Sequence, residues 1–439
     1  MTNTPSSLDD SVSSGSSHRG LNRRRLLGST ASGIAGVSLA GCLGTFDSIG
    51  GTSAAQETIT IGLLAPKPKS NYIGRSMQRS AELAVEKLND DGGIDGTTVE
   101  LVTGDTHESP LEARREYQRL ILEEGADVTV GVFNSSALEN IMEEMAEQQT
   151  VHITTGAATT AASEAVRDDY ERYKYHFRAG PTNNHHLGLA QIDFLGDVGS
   201  QIGWESVAVL VEDYPWADQP WKVYQDRLDE TGLDIVMDER YAPSTNDFSD
   251  LYGEIAREGA DAAIFGTAHT GTTPMFQWAK GQLPFAFGGI HLPMQLPSYF
   301  RQTGGACQYG FGLTSATAQS EFDGTGAFVE DYQRTYDSRP VYTGYHTYDA
   351  VHAFARAVED AGTTDSEELV PVLEGISHPG TSGTIEFYGA DADYPHDLKY
   401  VEDETLCFQW HGGNDGNGTQ EIIWPEKHKT ADYEPPSWL

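Results

Sequence analysis

The sequence predicts an α/β molecule made of two similar, Rossmann-like lobes, each a parallel sheet covered by helices. Three observations carry that expectation. From Glu57 onward, short β-rich runs alternate with amphipathic helical patterns, the order that builds parallel sheets with helices on both faces. The alternation runs through one series and begins a second near residue 182. A chain of 439 residues, 38% of them hydrophobic, is too long for one ordinary core and has the apolar content for two.

In order, Thr58–Ala65 reads as a strand. Gly74–Asp90 reads as a helix with Met77, Ala81, Ala84, Val85 and Leu88 on one face, and Asp91-Gly92-Gly93 ends it. Val99–Thr103 is a second strand, Pro110–Glu124 a second helix and Asp127–Phe133 a third strand. The later series repeats the order: strand Ser206–Val211, helix Ala217–Thr231, strand Asp234–Tyr241, helix Asp247–Glu258 and strand Ala260–Gly266. A short echo links the two series. Glu124-Gly125-Ala126-Asp127 and Glu258-Gly259-Ala260-Asp261 each precede an apolar strand, with glycine closing a helix. Ligands of such sheets sit at the carboxyl ends of the strands.

The chain carries 66 acidic and 28 basic residues, a formal net charge of −38. That surface repels nucleic acid and anionic membranes, which argues against binding either. The acidic residues are spread along the chain and only nine residues are lysine. This balance resembles proteins of salt-accumulating halophiles, where salt screens self-repulsion. The charge speaks to environment, not to substrate.

The N-terminus is the strongest local signal. Asn22-Arg23-Arg24-Arg25-Leu26-Leu27 is a twin-arginine pattern, and a mildly apolar run follows it to Ala40. That run is too short to remain as a spanning helix. Leu39-Ala40-Gly41-Cys42 resembles the lipobox of exported lipoproteins, so residues 1–41 are expected to be removed and Cys42 to carry lipid. Residues 43–57 then form a Gly/Ser/Thr/Ala-rich tether. No later apolar stretch approaches ~18 residues, so the anchor is the expected membrane contact. The other two cysteines, Cys307 and Cys407, fit no zinc spacing. In an exported chain two readings stay open for them, one disulfide or two buried thiols.

Several segments together resemble the Leu/Ile/Val-binding proteins of ATP-driven importers, here of haloarchaeal type. They include Ile61–Ala65, Gly74, Ala81-Glu82-Leu83-Ala84-Val85, Asn89–Gly96, Asp105 and Pro110. Gly131 to Ser136, Val151–Ala157, Phe177-Arg178, Val207–Tyr214, Tyr345–Ala350 and Gly383–Phe387 follow in the same order. The resemblance spans roughly residues 57–412 and implies a type I periplasmic binding protein: two lobes crossed several times by the chain, a hinge and a solute cleft. It places one lobe at 58–180 and 316–395 and the other at 181–315 and 396–425, with 426–439 as a tail. By the same resemblance Cys307 and Cys407 share the second lobe, which makes a bridge between them plausible.

Candidate ligand residues follow from position and chemistry together. Asn134-Ser135-Ser136 opens a helix, where hydroxyls and free N–H groups suit a carboxylate. Ser136-x-x-Glu139 is equally a capping box, and Ser135 matches the family's carboxylate-binding serine. Ala157 resembles the family's backbone contact, with Thr159 or a neighbour supplying a hydroxyl; the alternative is a plain turn. Tyr72 and Trp216 match aromatics that wall the family's cleft, and His269 is a weaker candidate. Around Gly288–Gln295 the family's amino-acid binders hold the ammonium with a carboxylate, whereas this chain has only His291 and Gln295 as substitutes. The expected solute is therefore a branched-chain amino acid, an amide or urea-like molecule, or a small organic acid.

No nucleophile elbow, phosphate loop, zinc-protease helix or dinucleotide fingerprint is present. His185-His186 read as a solvated loop rather than a metal pair, and no cofactor or metal is expected. A hydrolase on a similar fold is thus the weakest alternative. A ligand-sensing receptor lobe shares the cleft but would usually continue into a membrane span. The reading is a lipid-anchored solute-binding protein on the outer face of the cytoplasmic membrane, working by hinge closure with an importer permease.

Overall fold

Hydrophobic alternation and helix caps set the first lobe. The computed structural model describes residues 58–413 and 418–439; the twin-arginine pattern, Cys42 and the tether lie outside the described residues. Strands β1 (Thr58–Ala65), β2 (Thr98–Asp105), β3 (Val128–Gly131), β4 (His152–Thr154) and β5 (His176–Arg178) form one sheet in the order β2-β1-β3-β4-β5, all parallel. Helices α1 (Tyr72–Asp90), α2 (Pro110–Leu122) and α3 (Ser135–Gln148) connect its first four strands. Asn71 caps α1 and Ser109 caps α2, each side chain accepting a first-turn backbone N–H.

The second sheet repeats the pattern. β6 (Ser206–Glu212), β7 (Asp234–Tyr241), β8 (Ala262–Thr267) and β9 (Ala286–His291) lie in the order β7-β6-β8-β9, again parallel. In both sheets the first strand has its successor on one side and the third strand on the other. That reversal opens a crevice at the carboxyl ends of the strands. β10 (Phe311–Thr314) later pairs antiparallel with β13 (Leu406–Gly412), which pairs with β14 (Gly418–Trp424); β11 (Ser377–Gly380) and β12 (Gly383–Glu386) form a small ribbon.

The echoed sequence has a structural counterpart. Gly125 and Gly259 both take left-handed conformations, at φ 70° and 74°, which an L side chain adopts only at a cost. The aspartates two residues on reach back to the first strand of their own sheets. Asp127 accepts the Thr60 N–H at 2.9 Å, and Asp261 accepts the Ser206 N–H at 3.0 Å. Each carboxylate therefore ties the entry of the third strand to the first.

Burial shows how the chain shares itself between lobes. Ile61, Leu63, Val130, Ile153 and Phe177 pack in one core with Ala350, Phe354, Leu369 and Ile385. The helix Tyr342–Ala361 thus returns to the first lobe. In the second lobe, Val207, Val209 and Val211 face one core while Ala208 and Leu210 face another, as period-two strands buried on both faces must.

Several expected elements change on contact with this packing. The helix expected to reach Glu124 stops at Leu122, and β3 ends at Gly131 rather than Phe133. The reason for the second is backbone: Gly131 and Val132 both have positive φ, at 115° and 62°. The single helix expected at Ala217–Thr231 is a helix over Asp218–Arg227 flanked by 3₁₀ turns at Pro215–Ala217 and Leu228–Thr231. Cys307 and Cys407 are free and buried, not bridged. Cys307 packs in the core holding Phe265 and Phe287, while Cys407 packs in the other with Val209 and Ile290, so the two thiols point into different cores. His185 and His186 lie in the helix Asn184–Phe194, not a solvated loop, and the His186 ring stacks on Tyr400 with centroids 5.2 Å apart. Among the described residues no helix is long and apolar enough to cross a membrane.

Candidate ligand-binding cleft

The crevice between the two sheets collects strand ends. Phe133, Asn134 and Ser135 follow β3; Gly156 and Ala158 follow β4; Pro181 and Thr182 follow β5. From the other lobe come Tyr214 and Trp216 after β6, Ala268 and His269 after β8, and Leu292 and Gln295 after β9. They enclose a cavity of ≈ 90 Å³. For scale, a cavity of roughly 150 Å³ holds benzene, so the space in the present lobe arrangement is smaller than that, and a larger solute needs the lobes further apart.

The first-lobe wall is made by a strained turn. Val132 takes φ 62°, unusual for a β-branched residue. The conformation is held because the Val132 N–H donates to Leu64 O and its carbonyl accepts from Ala157 N, at 2.8 and 3.0 Å. The turn delivers Ser135 to the first residue of α3, where it is buried and lines the cavity. Asn134, not Ser136, is the cap: its Oδ1 accepts the Ser136 N–H at 3.0 Å. The expected capping box does not form, because Glu139 instead accepts the Thr159 hydroxyl at 3.0 Å. Ser136 stays off the cavity wall.

Ala157 and Thr159 are also displaced from the roles expected of them. Their carbonyls both accept from the guanidinium of Arg178, Thr159 O at 2.6 Å from Nη2. Arg178 is completely buried and its Nε lies 2.8 Å from Asp397. Asp397 also accepts from Ser163 and Asn183, at 2.5 and 2.7 Å. This hub fixes the turn after β4 so that Gly156 and Ala158, the residues on either side, face the cavity. Alternation by one residue explains the miss. Asn184 extends the same framework across the lobes, accepting the Thr160 N–H at 3.1 Å and donating to the Trp216 carbonyl at 2.9 Å.

The second-lobe wall carries the titratable chemistry. Trp216 and His269 line the cavity, together with Tyr214. Beneath them lies Glu212, the last residue of β6 and fully buried. It accepts from Trp216 Nε1 at 2.5 Å, His269 Nδ1 at 2.9 Å and the His269 backbone N–H at 3.2 Å. Burial pushes the Glu212 carboxyl up, but the hydrogen bonds from His269 and Trp216 outweigh it and hold the group below the ordinary carboxylate range. The same bond from Glu212 raises His269 above its ordinary value. When protonated, His269 presents a cationic ring edge toward the cavity, with its counter-charge behind the wall, and Glu212 favours that form.

The remaining polar wall comes from His346 and Glu404, which carry no sequence signal, and from Gln295. His346 is buried between the hydroxyls of Ser315 and Ser382, at 2.6 and 3.1 Å, and burial pushes its pKa down to about 3. It is neutral at any ordinary pH. Glu404 lines the cavity, and its carboxylate accepts from the backbone and hydroxyl of Thr384 at 3.0 and 3.1 Å. Gln295 lines the cavity, whereas His291 is buried behind it and accepts the Met294 N–H. Tyr72 does not reach the cleft; it lines a neighbouring cavity.

A family model for periplasmic binding proteins matches residues 58–402. The chain belongs to the periplasmic binding protein family. It is 21% identical over 391 residues to a Leu/Ile/Val-binding protein homologue of Brucella abortus, covering 87% of this chain and 97% of that one. It is 24% identical over 346 residues to an amino acid binding protein of Pseudomonas aeruginosa, covering 75% and 86%. Among solved structures, a branched-chain amino acid ABC transporter protein of Silicibacter pomeroyi superposes with a TM-score of 0.73 at 18% identity, covering 87% of this chain and all of that one. A solute-binding protein of Rhodopseudomonas palustris in complex with 3,4-dihydroxybenzoic acid gives 0.70 at 19% identity, covering 83% and 96%. A branched-chain amino acid binding protein of Streptococcus pneumoniae in complex with isoleucine gives 0.70 at 18%, covering 84% and 100%. The shared fold is the two-lobed parallel α/β arrangement described above. The family is one of periplasmic binding proteins, and the Silicibacter pomeroyi and Rhodopseudomonas palustris proteins are described as parts of ABC transporters.

Proposed function

We propose that this chain is an extracytoplasmic solute-binding protein that delivers a small organic acid with an apolar body to an ATP-driven importer. The observation that carries the choice of acid is the state of Glu212. Its carboxylate is engaged by Trp216 and His269, and Glu404, the other carboxylate on the wall, already accepts from the Thr384 backbone and hydroxyl, so neither stands free for an ammonium group, and a protonated His269 repels one. Ser135 opposite lies at the start of α3, where a carboxylate is favoured. A carboxylate between Ser135 and His269, with its body against Trp216 and Tyr214, uses both walls. Contacts made by both lobes favour the closed form, and closure presents the loaded surface to the permease.

Twin-arginine export and a lipid on Cys42 belong to the same reading and are supported by the order of motifs in residues 22–42. A protein this acidic gains little from anionic headgroups, and a single acyl chain anchors only marginally. A Cys42→Ser variant is expected in the medium rather than with membranes.

A thermal-shift screen in high salt tests the solute class, using short organic acids, branched-chain amino acids, amides and urea. A solute at a hundred times its Kd raises stability by about 2.7 kcal/mol. Acids are expected to raise the melting temperature. No shift across the panel, together with turnover of any member, contradicts the transport reading.

A further inference from the structure

A second cavity, ≈ 440 Å³, lies on the same seam between the lobes. Its Val341 precedes Tyr342 of the cleft wall, and its Pro297 comes two residues after Gln295. The first lobe contributes Arg75 and Arg79 from α1, whose Met77 and Ala81 sit in the first-lobe core, and Arg339 from the segment before the helix Tyr342–Ala361. The second lobe contributes Arg301, whose neighbours Tyr299 and Phe300 pack with Phe265 and Phe287.

Among the described residues, none of these four guanidiniums is within ion-pair distance of a carboxylate. Every other described arginine except Arg257 is. In a chain with 66 acidic residues against 28 basic ones, pairing is the default, so four unpaired charges in one concavity are a concentrated exception. Arginine does not deprotonate in proteins, so the charge persists at every ordinary pH, met by solvent at the exposed Arg301 and Arg339 and less fully at the half-buried Arg75 and Arg79. Two of the groups are oriented by neutral partners. Arg79 Nη1 donates to Ser338 Oγ at 3.0 Å and its Cζ lies 4.6 Å from the Tyr336 ring centroid. Arg75 Nη2 donates to Lys69 O at 3.0 Å, 5.9 Å from the Tyr72 ring. Arg79 also interacts with the Tyr332 hydroxyl, which leaves part of each guanidinium for a ligand. One carboxylate, Asp337, also lines the cavity, without an ion-pair partner among the described residues, so the charge of the described lining is net positive.

We propose that this cavity binds a small polyanion carrying two or more carboxylate or phosphate groups, held by Arg75, Arg79 and Arg339 on one lobe and Arg301 on the other. Planar guanidiniums match such oxygens in pairs, and the volume lies in the range of small-molecule sites. Empty, the four like charges oppose approach of the lobes; occupied, they draw the lobes together. The inference does not rest on the identity of the cleft solute.

The test is calorimetric titration of the protein with citrate and with pyrophosphate, at constant ionic strength set by sodium chloride. Saturable binding of at least one probe is expected, weakened about tenfold or more by Arg301→Gln or by Arg79→Gln, and unchanged by Ser135→Ala in the cleft. Small-angle scattering should show the saturated wild type more compact than the saturated Arg301→Gln variant. Failure of both probes to saturate overturns the proposal. So does equal binding by wild type and the arginine variants, or loss of binding on Ser135→Ala, which puts the probe in the cleft.

Discussion

The two lobes hold their sheets the same way and meet the cleft differently. Asp127 and Asp261 make the same cross-strand tie after the same left-handed glycine. At the strand ends the likeness stops. The first lobe offers a buried serine, small residues and backbone fixed by the Arg178–Asp397 hub. The second offers two aromatics and a histidine backed by a buried carboxylate. Scaffold and site are thus separable: the ties are repeated, and the chemistry is placed where the repeats diverge.

Breaking the hub is expected to have the largest effect. Asp397→Ala leaves the Arg178 charge buried without its partner, a change that costs about 3–5 kcal/mol. Urea denaturation monitored by circular dichroism should show the midpoint fall. A midpoint unmoved within error means that the first-lobe wall is held by something else.

The walls themselves come next. Trp216→Ala removes an aromatic that lines the cavity and holds Glu212 in place, and is expected to weaken solute binding by about 30-fold, the scale of a hot-spot aromatic. Ser135→Ala removes one hydroxyl bond, worth about tenfold when the partner is charged. Titration calorimetry on both variants ranks the lobes. Serine outranking tryptophan would reverse the comparison.

The smallest expected effect is in pH. His269 has its pKa raised in the folded protein by Glu212, so its cationic form is complete below the ordinary histidine value of about 6.5. It is lost as pH rises through the higher folded value. Affinity for an anionic solute should therefore be flat at mildly acid pH and decline above it, with His269→Gln abolishing the decline. An affinity that rises across that range contradicts the role given to the pair.

Much of the scaffold was legible in the sequence. β1 and β7 have the bounds that alternation predicts, because both strands have uniform β patterns flanked by clear breaks. The glycine–aspartate echo marked the repeat before its hydrogen bonds were visible. The site was legible in part. Ser135, Trp216 and His269 line the cleft because each lies just past an apolar strand, where the fold class puts ligands. Ala157 and Thr159 missed because the turn after β4 is set by Arg178 and Asp397, 219 residues apart, a contact no local pattern announces. Glu212 was overlooked because the strand pattern ends at Val211; an acid directly after a buried strand was the available signal. Tyr72, the first residue of α1, sits on the arginine-lined cavity and not on the cleft.

The most direct test is a matched pair of solutes, leucine and 4-methylpentanoate, titrated under identical salt and pH near 6. They share body and carboxylate and differ by the ammonium group. With Glu212 engaged and His269 cationic, the acid is expected to bind at least about tenfold more tightly, the scale of one charged hydrogen bond. Tighter binding of leucine would show that an acceptor for ammonium exists in the cleft, and would contradict the account.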